Sequence, residues 1–212
     1  MKLIKRDYGQ QYHENLAYRE SDNSQRNQKR LAALLELRSN GRLLEIGCGT
    51  GGFLRLAEPH FSVEGMDVSK YAVQAIQPHF GERVRVGNVE LHPLPLNQYD
   101  VVVVFNILEH LRQPQKVVER IAASLKPGGV MIGSVPNNQG LVGGLVTRLG
   151  NFFDRTHVST FTPEVWARIF RHAGFQQINL FGEVTLGRNR CYYLRGPNWP
   201  ELSFNLMFTC TH

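Results

Sequence analysis

The sequence predicts an α/β fold: a doubly wound, mostly parallel seven-stranded sheet with helices on both faces and its last strands antiparallel. Three observations predict it. Short apolar, β-branched runs alternate with longer amphipathic stretches, the order that builds a parallel sheet through crossover helices. A loop almost free of side chains, from Gly47 to Gly52, separates the first apolar run from a helix-like one. Doubly wound folds seat nucleotide-like ligands at such a loop. Finally, residues 101–104 are all valine, inside the run Tyr99–Phe105. Continuous β-branched character means burial on both faces, as in a parallel sheet.

The elements follow in order. Residues 1–23 are polar, with Tyr8, Tyr12, His13 and Tyr18. They read as a partly helical arm, either a loosely packed terminus or a flap over a substrate. Residues 24–39 read as a helix with Ser24 as cap and Leu31, Leu34, Leu35 and Leu37 as its apolar stripe. Asn40-Gly41 stops it. Leu43, Leu44 and Ile46 form the first strand, and Phe53–Ala57 opens the next helix, closed by Glu58-Pro59. Ser62–Met66 is a second strand. Ser69 caps the helix that carries Tyr71, Ala72, Val73, Ala75 and Ile76, with Pro78 near its end. Val84–Val86 is a third strand, and Pro93 and Pro95 mark a loop before the fourth, Tyr99–Phe105. A helix over about 114–125 leads through the turn Lys126-Pro127-Gly128-Gly129 into a fifth strand, Val130–Val135. Thr162-Pro163-Glu164 starts a helix with a cap and a first-turn proline. Its buried face is Val165, Trp166, Ile169, Phe170 and Ala173, and Gly174 ends it. Ile178–Phe181 and Cys191–Leu194 read as a final antiparallel pair. The tail after Arg195, rich in Phe, Trp and Pro, yields no element.

At 212 residues the chain is expected to be one domain with a full core. Its 42% hydrophobic and 20% charged residues are ordinary for a globular protein and exclude the disordered and fibrous classes. The net charge of +6 permits an acidic partner. Lys and Arg are nevertheless scattered, with Arg188, Arg190 and Arg195 the nearest to a cluster, so nucleic acid is not the expected partner. Cys48, Cys191 and Cys210 show no metal spacing and cannot all pair, which points to a reducing compartment. The first residues lack the apolar stretch of a signal peptide. No apolar run approaches the roughly 18 residues of a spanning helix. A cytoplasmic protein is expected.

Two cofactors compete for the glycine loop. Gly47-x-Gly49-x-x-Gly52 satisfies the dinucleotide pattern, and Asp67 follows Gly47 at the spacing that pattern asks. Against a dinucleotide stands Glu45, one residue before the strand ends. A carboxylate there repels a pyrophosphate but suits a sulfonium and an ammonium group, as in S-adenosylmethionine.

The text Glu45-Ile46-Gly47-Cys48-Gly49-Thr50-Gly51 resembles motif I of the class I S-adenosylmethionine-dependent methyltransferases. Four further stretches resemble the same family in the same order. They are Gly65-Met66-Asp67-Val68-Ser69, Tyr99-Asp100 with Asn106-Ile107-Leu108-Glu109-His110-Leu111, Leu125-Lys126-Pro127-Gly128-Gly129, and Ser134-Val135-Pro136-Asn137. The similarity spans about residues 40–181 and is to the branch with ubiquinone-pathway O-methyltransferases and sugar and small-molecule methyltransferases. The resemblance implies a Rossmann-like methyltransferase fold, S-adenosylmethionine as cofactor and S-adenosylhomocysteine as product. It divides the single domain into an arm and helix (1–39), a cofactor-binding core (40–136) and a lid, acceptor-side elements and tail (137–212).

The resemblance also implies site residues. Glu45, Gly47, Cys48, Gly49 and Gly51 belong to the loop that meets the methionine part of the cofactor. Asp67, followed by Val68, accepts the ribose hydroxyls; otherwise it is a helix N-terminal acid. Asn88, followed by Val89, stands where the family usually has Asp facing the adenine amino group; otherwise it is a turn residue. Asn106 leaves the fourth strand near the methionine carboxylate. Methyl transfer is an in-line displacement that needs positioning and a dry pocket. A hydroxyl acceptor also needs a base of near-neutral pKa, which histidine supplies. His157, in Asp154-Arg155-Thr156-His157, resembles the family's D-x-x-H segment beside the acceptor, and His110 lies close to the cofactor. The alternative for each is a hydrogen-bonded structural histidine, and His157 ranks ahead of His110 as the base. The metal pattern Glu-x-x-Glu-His of some relatives is broken, with Asn106 in its first position, so no metal is expected.

The acceptor expected is a small molecule, methylated at oxygen. The motif of DNA amino-methylating enzymes is absent after the fourth strand. A tRNA methyltransferase of the same fold, a cofactor-binding domain without turnover, and a nicotinamide oxidoreductase are the alternatives. The glycine-rich stretch 139–150, followed by Phe152 and Phe153, reads as a helix on the sheet edge, a lid, or a peripheral membrane contact.

Overall fold

The computed structural model describes residues 25–137, 158–186, 190–196 and 199–212. The expected arm over 1–23, the stretch 139–150 and His157 lie outside the described residues. The first helix, α1 (Gln25–Leu35), leads to β1 (Arg42–Ile46), α2 (Gly52–Ala57), β2 (Ser62–Asp67), α3 (Lys70–Phe80) and β3 (Val84–Val86). Then come β4 (Tyr99–Phe105), α4 (Pro114–Ser124), β5 (Leu125–Pro136) and α5 (Pro163–His172). The chain continues through β6 (Gln177–Leu186), β7 (Arg190–Leu194), the short α6 (Trp199–Leu202) and β8 (Asn205–Thr211).

The strands form one sheet in the order β3-β2-β1-β4-β5-β8-β6-β7. Strands β1 to β5 are parallel, and β8 runs antiparallel between β5 and β6. The doubly wound prediction stands, with one correction. The sheet has eight strands, and the tail without an assigned element supplies an interior one, between β5 and β6. Leu206, Met207, Phe208 and Cys210 are buried there at 0–1% exposure. An antiparallel β6–β7 pair is present, but β7 pairs with Gly182–Leu186 while residues 178–181, the expected partners, pair with β8, and β7 is an edge strand and not the last in sequence. The first helix is also shorter than expected, ending at Leu35.

Side-chain alternation on β4 builds two core layers. Val101 and Val103 pack with α1, α2 and α3 through Leu34, Phe53, Leu54 and Ile76. Val102 and Val104 pack on the other face with Val118, Ile121, Trp166 and Phe170 of α4 and α5. Local chemistry sets the boundaries. Ser69 caps α3, its hydroxyl accepting from Ala72 N–H at 3.1 Å. Thr162 occupies the cap position of α5 without a side-chain bond; Pro163 fixes the first turn instead. Residues Lys126 to Gly129 bulge from the β4–β5 ladder, in which Tyr99 faces Leu125 and Val101 faces Val130. Gly133 of β5 lies under the Phe208 ring and against the Val104 carbonyl, and a Cβ there would overlap both.

At the amino edge Asp100 gathers Lys126 Nζ at 2.7 Å, Arg42 N–H at 2.9 Å and Arg38 Nη2 at 2.5 Å. Burial alone would raise the Asp100 carboxyl. The Lys126 ammonium, the Arg42 N–H and the Arg38 charge together hold it below the ordinary carboxylate range. This residue braces the sheet at the end opposite the glycine loop.

Candidate active site

Chain order reverses between β1 and β4, which opens a crevice at the carboxyl ends of those strands. Three segments meet there. β1 passes into the glycine loop, where Gly47 has φ 78° and Gly51 has φ 77°, backbone that L side chains rarely adopt. Ile107 packs against Gly47 so closely that a Cβ would overlap it. Gly47 N–H and Cys48 N–H donate to the Met66 carbonyl at 2.7 and 3.3 Å, tying the loop to the end of β2. Cys48 turns its side chain into the core, at 5% exposure.

Asp67, the last residue of β2, is 8% exposed. Its Oδ2 accepts from Gly49 N–H and its Oδ1 from Ser69 N–H, both at 2.8 Å. One carboxylate therefore joins the glycine loop to the start of α3. Val68 beside it is 49% exposed. Glu45, on the β1 face turned toward α1 and α2, is buried at 5% exposure.

Asn88 and Val89 follow β3. The Asn88 side-chain oxygen accepts from Glu90 N–H at 2.9 Å, and its carbonyl accepts from Leu91 and His92 N–H. The turn reading of Asn88 is thus realised in the structure. Val89 is buried at 4% exposure. Asn106 directly follows β4 in the left-handed conformation, φ 53°, and its N–H donates to the Ser134 carbonyl at 2.8 Å. His110 closes a 3-10 turn, Leu108–His110, with Nε2 3.9 Å from Glu109 Oε1. The Glu109 carbonyl accepts from Val158 N–H at 3.0 Å and Ser159 N–H at 2.9 Å. The chain directly after His157 thereby docks on the turn that carries His110.

One group of residues escaped the sequence reading. Glu183 of β6 is fully buried and accepts from Arg26 Nε at 2.7 Å and from Arg30 Nε at 3.1 Å. Burial would raise this carboxyl, but the two guanidinium groups hold it below its ordinary value. Glu183 stands among Leu180, Phe181, Val184 and Leu186, and that interruption was the available signal; Arg30 ends a polar run, residues 25–30, and offered none. Among the described residues no three His, Cys, Asp or Glu side chains gather as a metal-ligand group.

A family model described as a methyltransferase domain matches residues 16–180. A protein of Mycolicibacterium smegmatis described as a probable S-adenosylmethionine-dependent methyltransferase is 32% identical over 142 residues, covering 66% of this chain and 54% of that protein. The chain belongs to the class I S-adenosylmethionine-dependent methyltransferases. A Klebsiella pneumoniae protein named ubiquinone biosynthesis O-methyltransferase is 35% identical over 110 residues, 47% of this methyltransferase and 44% of that one. This methyltransferase chain spans about half the length of the curated relatives it matches. A solved S-adenosylmethionine-dependent methyltransferase of Archaeoglobus fulgidus superposes with TM-score 0.75 over 97% of this chain and 100% of that one, at 18% identity. The two chains share one fold over that extent. Among the described residues of this family member no helix is long and apolar enough to cross a membrane.

Proposed function

We propose that the protein transfers a methyl group from S-adenosylmethionine to an oxygen of a small-molecule acceptor in the cytoplasm. The observation that carries this reading is the Asp67 carboxylate, which braces the glycine loop against the start of α3 at the crevice between β1 and β4. The residues fit the cofactor. A loop bare of side chains accepts a ligand against its backbone, and the buried carboxylates Glu45 and Asp67 suit a cation and oppose a pyrophosphate. When bound, the cofactor supplies an electrophilic methyl group on a sulfonium.

In this reading Gly47, Cys48, Gly49 and Gly51 cradle the amino-acid arm through their backbone. Asp67 accepts the ribose hydroxyls, Val68 and Val89 flank the adenine, and the Asn88 region closes its edge. Asn106 and Glu45 meet the charged end. His157 takes the proton from the acceptor hydroxyl as the oxygen attacks, with His110 as the second candidate base. The docking of Val158 on the turn of His110 supports a base from this segment. The similarity to the enzyme named ubiquinone biosynthesis O-methyltransferase supports an oxygen acceptor.

The test is thermal and chemical stability with and without S-adenosylhomocysteine. A ligand that binds only the folded state stabilises it by about 2.7 kcal/mol at a hundredfold excess over Kd. That gain is expected for the wild type and should vanish in Asp67→Ala. No gain at millimolar ligand would overturn the cofactor assignment. For the base, turnover of a soluble hydroxyl-bearing acceptor found by screening should rise through neutral pH in the wild type. His157→Gln should lower it about 100-fold or more.

A further inference from the structure

A chain of hydrogen bonds runs from the buried ion-pair group to the candidate active site. Arg30 of α1 is 4% exposed. Its Nε donates to Glu183 Oε2 at 3.1 Å, and its Nη2 donates both to Glu183 Oε1 at 3.2 Å and to Ser134 Oγ at 2.9 Å. The guanidinium carbon lies 4.1 Å from the centre of the Phe105 ring. Arg26 and Asn205 hold the same carboxylate from α1 and β8. The Ser134 hydroxyl, 0% exposed, then donates to Asn106 Oδ1 at 3.1 Å.

Proton counting gives this chain a direction. A guanidinium can only donate, and a serine hydroxyl has one proton. Ser134 accepts from Arg30, and its own proton goes to the Asn106 oxygen 3.1 Å away. The Asn106 oxygen faces Ser134, and its NH2 faces away from it. The backbone contributes as well. Asn106 N–H is bound to the Ser134 carbonyl, and asparagine tolerates the left-handed conformation this residue adopts. Asn106 is half-buried and directly follows β4 at the crevice, so it presents donors to whatever binds there.

We propose that Arg30 is a positioning residue: through Ser134 it turns the Asn106 carboxamide so that its NH2 donates to the carboxylate of the cofactor's amino-acid arm. The inference rests on the cofactor reading above. A donor pair selects the carboxylate over the ammonium of that arm, since an ammonium has no lone pair to offer. Two guanidinium groups also face one carboxylate in the group behind Ser134, and that positive surplus favours an anion in front.

The test compares two ligands by calorimetry. S-Adenosylhomocysteine carries the amino-acid arm; 5′-methylthioadenosine keeps the nucleoside and thioether and lacks the arm. Ser134→Ala leaves Arg30 on Glu183 and removes only the relay. It should weaken S-adenosylhomocysteine about tenfold, the worth of a hydrogen bond to a charged group, and leave 5′-methylthioadenosine unchanged. Asn106→Gly keeps the backbone conformation and should give the same split. Asn106→Asp sets a carboxylate against a carboxylate and should weaken S-adenosylhomocysteine further. If the wild type binds both ligands and the preference for S-adenosylhomocysteine is unaltered in Ser134→Ala and Asn106→Gly, Arg30 and Ser134 are structural only and the proposal is overturned. A wild type that binds neither ligand overturns the cofactor reading, and this inference with it.

Discussion

Asp67 performs two tasks with one group. Its oxygens take the Gly49 and Ser69 N–H groups before any ligand arrives, so the brace belongs to the folded protein itself. Asp67→Asn replaces one oxygen by an NH2 that must face a backbone donor. The expected cost is about 1–3 kcal/mol of stability, read from the urea midpoint without ligand. An unchanged midpoint would mean the loop is held without this carboxylate. Both the residue and its neighbourhood were legible in the sequence, because glycines at fixed spacing and an acid after the second strand demand a particular backbone. Asn88 was ambiguous for a physical reason: an Asx side chain serves a turn and a ligand with the same oxygen. The Arg30, Ser134 and Asn106 relay was not legible at all. Its members lie on three elements far apart in sequence, and only the tertiary register of α1 over β5 brings them together.

At the scale of elements, the strands and helices of the first half were predictable from periodicity, since β1, β2, β4 and their helices repeat one supersecondary unit. The second half follows no such repeat. β8 is antiparallel and reads in sequence as an unlabelled apolar tail, yet it pairs along its whole length with β5 and most of β6. Its fit is tight where Phe208 crosses Gly133. Gly133→Ala should destabilise the protein by about 3 kcal/mol, because neither the Val104 carbonyl nor the packed ring can retreat freely. Urea unfolding checks this. A cost below about 1 kcal/mol would show that the ring yields, and Gly133→Ala with Phe208→Leu should recover part of the loss.

At the scale of the molecule, two buried or bridged carboxylates sit at opposite edges of one sheet, Asp100 at the amino edge and Glu183 at the carboxyl edge. Both are held below their ordinary range. A carboxyl whose folded pKa is depressed contributes stability that is complete above its unfolded value, roughly 4, and that is lost as pH falls through the folded value. The urea midpoint should therefore be flat from pH 7 to about pH 5 and fall below that. Asp100→Asn should lower the neutral plateau and flatten the acid limb; an acid limb identical to wild type would remove Asp100 from the account. The order of the strands carries a consequence of another kind, for synthesis. β6 touches β5 only through β8. While residues 205–211 are still inside the ribosome, the parallel half of the sheet ends in an open β5 edge and the β6–β7 hairpin has no strand in that half to pair with, only α1 and α5 to lean on. A nascent chain must therefore hold two unjoined pieces apart, each with a bare strand edge, until one short segment emerges and closes the gap between them.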